Sequence, residues 1–134
     1  MWWGKNRDVR VVRDYVAALN SRDIVAIRRL IGPSCVFIDS RNGAVRGHDQ
    51  CVEASRRFFA LDLDYDLDVA TVVAHPPDVL ITGTMRSTDN RLARDCLWRA
   101  RCENGKLVEW QSFADGPGLN VARLLMPEVA TYVS

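Results

Sequence analysis

Hydrophobic side chains near the start of the chain recur on one helical face, at Val12, Tyr15, Val16 and Leu19. This i, i+3, i+4, i+7 spacing, with charged residues mostly between these positions, is typical of an amphipathic helix. The pattern predicts a helix from about Asp8 to Asn20, with Tyr15 on its buried face.

A second, shorter helix is predicted directly after the first, because an apolar face continues at Ile24, Ile27 and Ile31. Its N-terminus can be capped by Ser21 or by Asp23, since short polar side chains accept hydrogen bonds from the first free backbone N–H groups. Gly32-Pro33 is expected to end the helix, because proline cannot continue it.

A short buried strand at Cys35–Ile38 and a third helix are predicted next. Asn42-Gly43 is a typical tight-turn pair and directs the chain toward Val45. The third helix is expected to begin near Asp49. It carries Val52, Phe58 and Phe59.

The remainder of the chain has the pattern of strands separated by turns. Apolar residues alternate with aspartates from Leu61 to Val69, which is the period-two pattern of a strand with one solvated face. Further strands are predicted at Val79–Met85, Leu92–Cys102 and Leu107–Phe113. The turns between them fall at 76–78, 89–90 and 104–105, where proline, aspartate, asparagine and glycine cluster.

The last hairpin, closed at Asn104-Gly105, allows its register to be predicted. A two-residue loop would set Trp98 beside Gln111 and would mix apolar with polar side chains. A three-residue loop with Gly105 left-handed sets Trp98 beside Trp110 and separates the two faces, so we prefer it. The concave face beneath the helices would then carry Cys96, Trp98, Ala100, Val108, Trp110 and Ser112.

Length and charge restrict the class of protein. A chain of 134 residues with 48% hydrophobic residues can build one core, so we expect a single domain over residues 1–134. The net charge of +1 is spread along the chain without a basic block, which argues against a nucleic-acid partner.

The cysteines and the amino terminus bear on metal binding and on location. The four cysteines form no C-x-x-C pair and only two histidines are present, so no metal site is expected. The sequence has neither the residue order of a signal peptide nor an apolar run of membrane-spanning length. We therefore expect a cytoplasmic protein with no membrane association. Trp2 and Trp3 either pack against the domain or a partner subunit, or stay free.

Two segments resemble known families. Residues 11–20 (VVRDYVAALN) resemble the first helix of bacterial ketosteroid isomerases. Residues 105–110 (GKLVEW), with Asp115 after them, look like SnoaL-like polyketide cyclases. The resemblance extends from about Asp8 to Met126 and implies the nuclear transport factor 2-like fold, a cone-shaped, curved antiparallel sheet packed on three helices in the α+β class. This fold hosts enzymes, binding proteins and association modules alike.

The isomerase resemblance implies three site residues. Tyr15 matches the hydroxyl donor of that family's oxyanion hole, and Asp39 falls within one residue of its general base. Asp95 is the nearest match to the family's protonated aspartate. Strict alternation, however, puts Asp95 on the same face as Arg99 and Arg101, opposite the tryptophans.

The cyclase resemblance implies a different base. Asp115 matches the acid/base aspartate at the end of the last strand, and a bulge near Phe113-Ala114 is needed to turn it inward. Epoxide hydrolases of the limonene type use an Asp-Arg-Asp set on a middle strand. The corresponding stretch here, residues 84–87 (TMRS), lacks the second aspartate, so epoxide opening is disfavoured.

These observations support a leading hypothesis and a rival. The leading one is an isomerase or cyclase, without metal or nucleotide cofactor, that abstracts a proton next to the carbonyl of an apolar cyclic substrate. Apolar walls are expected from Phe37, Phe58, Phe59, Trp98 and Trp110. The rival is a non-catalytic ligand-binding or dimerisation module of the same fold, favoured by a sealed apolar interior, whereas converging polar groups favour an enzyme.

Each candidate residue also has an ordinary structural role open to it. Tyr15 can be a buried tyrosine bonded to backbone, and Asp39 and Asp115 can each start a turn. If Asp39 is the base, Asp39→Asn is expected to lower turnover while leaving the fold intact.

A homodimer through the outer face of the sheet is also expected. That face mixes apolar with pairable charged side chains, as moderately polar two-fold interfaces do. The residues concerned are Leu97, Arg99, Arg101, Glu109, Gln111 and Phe113.

Overall fold

The computed structural model of the chain describes residues 2–114 and 120–133. The elements, in chain order, are α1 (Trp2–Ser21), α2 (Ile24–Leu30), β1 (Ile31–Ile38), β2 (Gly43–Arg46), α3 (His48–Ala60), β3 (Asp66–His75), β4 (Asp78–Arg86), β5 (Arg94–Glu103), β6 (Lys106–Ala114), α4 (Val121–Leu125) and β7 (Thr131–Tyr132). The side chains of Trp2 and Trp3 lie outside this description, so the alternatives for them stand.

The strands form one sheet in the order β3-β4-β5-β6-β1-β2-β7. Its described pairs are antiparallel except β1 with β6, which run parallel. Helices α1 and α3 pack on the sheet, and the buried core lies between the two layers. The predicted α+β fold is confirmed. The structure adds β2, α4 and β7 to the predicted elements, and it places Gly32-Pro33 inside β1 instead of at a helix end.

The first two helices are oriented by their apolar faces and by one cap. Val12 and Tyr15 are almost completely buried, as the periodicity of α1 predicts. Of the two proposed caps for α2, the structure uses Asp23, whose carboxylate accepts a hydrogen bond from the Ala26 N–H at 3.0 Å. The hydroxyl of Ser21 instead donates back to the Ala17 carbonyl at 2.8 Å.

The predicted strand start at Leu61 is wrong. Helix α3 continues to Ala60, Leu61 forms its C-terminal cap and is 49% exposed, and Asp62 has a positive φ of 53°. Strand β3 begins only at Asp66. The alternation of leucine and aspartate in the sequence therefore spans the end of a helix as well as the start of a strand. It reports which side chains are polar, and it does not fix the backbone conformation.

A bulge bends the sheet where β3 meets β4. The pairing steps from Val69 opposite Gly83 to Thr71 opposite Thr82, so Ala70 is an extra residue in β3. A Cβ atom at Gly83 would lie 2.3 Å from the carbonyl oxygen of Asp68, so this close approach requires glycine. Bulges increase strand twist and bend a sheet, and this one lies on the strands that curve over the helices.

The register predicted for the last hairpin is wrong. Asn104 and Gly105 both have positive φ, 52° and 76°, and form a two-residue turn. Trp98 lies opposite Ser112, not opposite Trp110, and a bulge between Arg101 and Cys102 leaves Val108 as the extra residue of β6.

The bulge restores most of the predicted inner face. Ala100 opposes Trp110, so Trp98, Trp110 and Ser112 still share one side of the sheet. Near the turn, however, the alternation is reversed: Leu107 is completely buried, whereas Val108 is only half-buried. A bulge shifts side-chain parity by one residue, and hydrophobic patterning alone did not reveal it.

Within residues 2–114 and 120–133, no helix combines the length and apolar character needed to cross a membrane.

Candidate functional site

A cavity of about 200 Å³ lies between the curved sheet and the helices. Helix α1 contributes Tyr15, α3 contributes Phe58, and the inner face of β5 and β6 contributes Trp98 and Trp110. Short α4 closes a further side through Val121, Ala122 and Leu125. The lining is mostly apolar, with serine, tyrosine and aspartate as its polar members.

Most of the predicted aromatic walls line this cavity. The ring centres of Tyr15 and Trp110 are 4.8 Å apart, and those of Tyr15 and Phe37 are 6.0 Å apart. Trp98 stacks on Trp110 at 6.1 Å. The structure brings Phe37, Phe58, Trp98 and Trp110 together around the space. Phe59 is not among its described lining residues and instead packs half-buried beside Phe58.

Tyr15 is 2% exposed, and its side chain lines the cavity. Burial raises the pKa of the Tyr15 hydroxyl well above its usual range, and the nearby Cys35 and Cys51 thiols raise it further. The hydroxyl therefore stays protonated at neutral pH and remains a hydrogen-bond donor. Among the described residues it has no hydrogen-bond partner, so the ordinary role of bonding to backbone is not seen there.

Tyr65, the other tyrosine of the cavity, has that ordinary role. Its hydroxyl donates to the Leu19 carbonyl at 2.8 Å, and burial raises the pKa of Tyr65 to about 12. The Arg22 guanidinium lies 3.7 Å from the centre of its ring. Tyr65 is therefore a structural link between α1 and the start of β3, whereas Tyr15 keeps its donor available.

Asp39 is buried at the end of β1 and also lines the cavity. Its Oδ1 atom accepts hydrogen bonds from the N–H groups of Arg41 at 2.8 Å and Gly43 at 2.9 Å. Its Oδ2 atom accepts one from the Ala122 N–H at 2.9 Å. The carboxylate thus organises the β1–β2 turn and joins it to α4. An ionised carboxylate offers about four acceptor positions, so one remains for a ligand.

Of the other two candidate aspartates, the structure describes Asp95, which lies away from the cavity lining. Asp95 is exposed on the opposite face of the sheet and accepts a hydrogen bond from the Thr84 hydroxyl at 3.1 Å. This is the placement that strict alternation predicts. Asp115 lies outside the described residues, and β6 pairs with β5 without a further shift through Phe113 and Ala114.

Sequence reasoning missed the wall made by α4. The helix has five residues, which is too short to show a helical period. The available signal was Asn120, a residue type that favours helix N-termini, before a short apolar run. Even so, the contact of Ala122 with Asp39 joins positions 83 apart and has no local sequence signal.

The sequence also raised two other kinds of site, an Asp-Arg-Asp set for epoxide opening and a metal centre. Arg86 is exposed and pairs with Asp66 at 2.8 Å, away from the cavity lining. No group of three or more histidine, cysteine, aspartate or glutamate side chains in the described part of the chain is placed to hold a metal ion.

The fold and the apolar cavity define the nuclear transport factor 2-like class. Residues 12–110 match the family model of the SnoaL-like domain, and the chain belongs to this family. No curated protein matches its sequence.

Solved structures with the same fold carry several activities. A protein from Kribbella flavida DSM 17836, described as a candidate ketosteroid isomerase, is 13% identical with a TM-score of 0.72 over 96% of both chains. An LEH-like epoxide hydrolase from M. tuberculosis is 17% identical, with a TM-score of 0.72 over 82% of this chain and 79% of its own. A candidate SnoaL-like polyketide cyclase from Jannaschia sp. CCS1 is 15% identical, with a TM-score of 0.70 over 82% and 86%. At these identities the likeness shows the fold alone.

Proposed function

We propose that this chain binds an apolar cyclic ketone in the cavity and abstracts a proton from the carbon next to its carbonyl group. The observation that supports this most strongly is the Tyr15 hydroxyl. It is buried, it stays protonated, it has no partner among the described residues, and it lies in an aromatic-walled cavity that also contains the Asp39 carboxylate.

The two polar groups have complementary roles in this proposal. The Asp39 carboxylate takes the proton from carbon, and the electron pair of that C–H bond forms a double bond to the carbonyl carbon. The π electron pair of the carbonyl group moves to its oxygen. The Tyr15 hydroxyl donates a hydrogen bond to that oxygen, and the bond strengthens as negative charge develops. When the ketone has a carbon–carbon double bond between its β and γ carbons, the enolate is conjugated, and return of the proton from Asp39 to the γ carbon completes an isomerisation with no further reactant.

Fixed geometry and an apolar environment support this assignment. Three backbone N–H groups hold Asp39 in one orientation, so a base there needs no rearrangement before reaction. The lining is mostly apolar, which strengthens the hydrogen bond from Tyr15 to a developing oxyanion.

The variant Tyr15→Phe tests the proposal. The assay uses NMR to measure how fast deuterium from the solvent replaces hydrogen on the carbon next to the carbonyl group of 1-tetralone. We expect the exchange rate to fall roughly a hundredfold, as for loss of one oxyanion donor. The unfolding temperature should change little, because the hydroxyl gives up no hydrogen bond within the described residues.

Tyr65→Phe is the matched control. It removes a hydroxyl that lines the same cavity but already donates to the Leu19 carbonyl. We expect a loss of about 1 kcal/mol of stability and an exchange rate close to that of the unmodified protein. Full exchange activity in Tyr15→Phe, or equal losses in both variants, contradicts the role proposed for Tyr15.

A non-catalytic ligand carrier is the second candidate, and one observation favours it. Several polar groups of the cavity are engaged within the protein: the Ser55 hydroxyl donates to the Cys51 carbonyl at 2.9 Å, and Tyr65 and Asp39 are bonded as described. Binding of 1-tetralone without exchange above the buffer rate supports this candidate over the enzyme.

We also propose a homodimer through the outer face of the sheet. Arg99 lies 2.7 Å from Glu109, in an ion pair too bent for a hydrogen bond, and Arg101 lies 3.0 Å from Asp78. These pairs are flanked by two exposed apolar side chains, Leu97 at 40% and Phe113 at 41%. Neutralised charges beside apolar groups suit a moderately polar interface.

Sedimentation of Leu97→Asp tests the homodimer. At tens of micromolar protein, roughly the weak end of specific association, we expect the unmodified chain to be dimeric and the variant to be monomeric. Val25→Asp is the control, because Val25 is 68% exposed on α2, away from the sheet. An unmodified chain that remains strictly monomeric at this concentration rejects the proposal.

A further inference from the structure

The size of the cavity restricts the ligand. An engineered apolar cavity of about 150 Å³ holds one benzene molecule, and pockets for drug-sized ligands usually measure about 300–1,000 Å³. The present cavity, at about 200 Å³, is nearer to the first case. Scaling from the six carbon atoms of benzene gives room for about eight non-hydrogen atoms, which is closer to one or two fused rings than to a four-ring skeleton.

The walls restrict the shape of the ligand. Rings line the cavity from both layers of the fold, with Tyr15 tilted by 56° against Trp110 and Phe58 by 43° against Tyr65. Aromatic groups pair best with flat unsaturated rings, edge to face or offset in parallel. A planar ring can use these walls, whereas a bulky saturated skeleton cannot.

The charges at the cavity restrict the ionisation state of the ligand. Among the lining residues that the structure describes, none is lysine, arginine or histidine. A buried ligand carboxylate would therefore lack a cationic partner there and would also face Asp39, at a large cost in free energy.

From these three restrictions we infer that the ligand is a neutral, planar carbonyl compound of one or two fused rings, and not a four-ring skeleton or an organic anion. The inference rests on the proposed function for the carbonyl group. Size, planarity and neutrality rest on the cavity itself.

Calorimetric titration of the unmodified protein with three probes tests the inference. The probes are 1-tetralone, a neutral two-ring ketone; 2-naphthoate, a two-ring anion; and progesterone, a neutral four-ring ketone. We expect 1-tetralone to bind at least about tenfold more tightly than either of the others, which corresponds to about 1.4 kcal/mol.

Each of the other outcomes contradicts one part of the inference. Tighter binding of progesterone overturns the size limit but leaves the proposed function standing, and tighter binding of 2-naphthoate overturns neutrality. If 1-tetralone neither binds nor exchanges deuterium, the proposed function itself fails and the ligand class fails with it.

A pair of adjacent leucines on α4 tests whether the cavity sets the size limit. Leu125 lines the cavity, whereas Leu124 is 59% exposed and is not among its described lining residues. Leu125→Ala should increase the affinity for anthrone, a neutral three-ring ketone, by about tenfold and should weaken 1-tetralone binding severalfold. Leu124→Ala should leave both affinities unchanged. Unchanged anthrone affinity in a folded Leu125→Ala protein overturns the role of the cavity in selecting ligand size.

Discussion

Asp39→Asn is expected to unfold at a temperature about 5–10 °C lower than the unmodified protein, as well as to lose activity. The carboxylate accepts hydrogen bonds from three backbone N–H groups, which are shared between its two oxygens. In asparagine one of these oxygens becomes an NH₂ group, and in either orientation this group would face an N–H donor. Leaving one buried N–H unpaired costs about 1–3 kcal/mol. This corrects the expectation that the substitution leaves the fold intact. Thermal unfolding followed by circular dichroism measures the shift.

The loss of activity must be separated from the loss of stability. Deuterium exchange into 1-tetralone, measured well below the unfolding temperature and per folded molecule, should fall at least about a hundredfold in Asp39→Asn. Asp14→Asn serves as the control, because Asp14 lies on the exposed face of α1 and the same chemical change there should alter neither quantity. If Asp39→Asn keeps full exchange while Asp115→Asn loses it, the base is Asp115 and the cyclase-like alternative replaces the isomerase-like one.

Gly83→Ala is expected to be strongly destabilising, by roughly 3 kcal/mol, at the upper end for overpacked positions. The added Cβ atom would lie 2.3 Å from the carbonyl oxygen of Asp68 and 3.0 Å from the Cα atom of Val69. Both are backbone atoms, so relief requires moving β3 away from β4 at the bulge. Urea unfolding measures the change in free energy.

Gly32→Ala is the matched control for that substitution. There the new Cβ atom would lie 3.2 Å from Cγ1 of Val108 and 3.3 Å from Cβ of Lys106, both side-chain atoms, and the nearest backbone atom outside its chain neighbours would be the Leu107 carbonyl oxygen at 3.6 Å. We expect a cost under about 1 kcal/mol. Equal costs at the two glycines would show that the close approach at the bulge is unimportant.

The bulge also links stability to ligand binding. Leu67 and Met85 pair across β3 and β4 two residues beyond Gly83, and both line the cavity. A folded Gly83→Ala protein should therefore also bind 1-tetralone more weakly than the unmodified chain.

Local patterns in the sequence determined the first three helices and the residue types of the inner face. The spacing of Val12, Tyr15 and Leu19 was enough to place Tyr15 on the buried side of α1, because helical periodicity acts over one or two turns. The period-two pattern likewise placed Trp98 and Trp110 on the same side of the sheet and Asp95 on the other. The resemblance of two short segments to known families supplied the fold class.

The tertiary structure decided what depends on pairing between distant segments. The bulge at Val108 changed the hairpin register because an extra residue can be accommodated without disturbing the inward placement of Trp98 and Trp110. The parallel pairing of β1 with β6 joins segments far apart in the chain, and no local pattern specifies it. Asp39 had a turn-starting role predicted from its neighbours, but its bond to the Ala122 N–H arises only when α4 packs beside the β1–β2 turn. Hydrophobic patterning reports which side of an element is buried, whereas hydrogen-bond partners across the chain are set by how the elements pack.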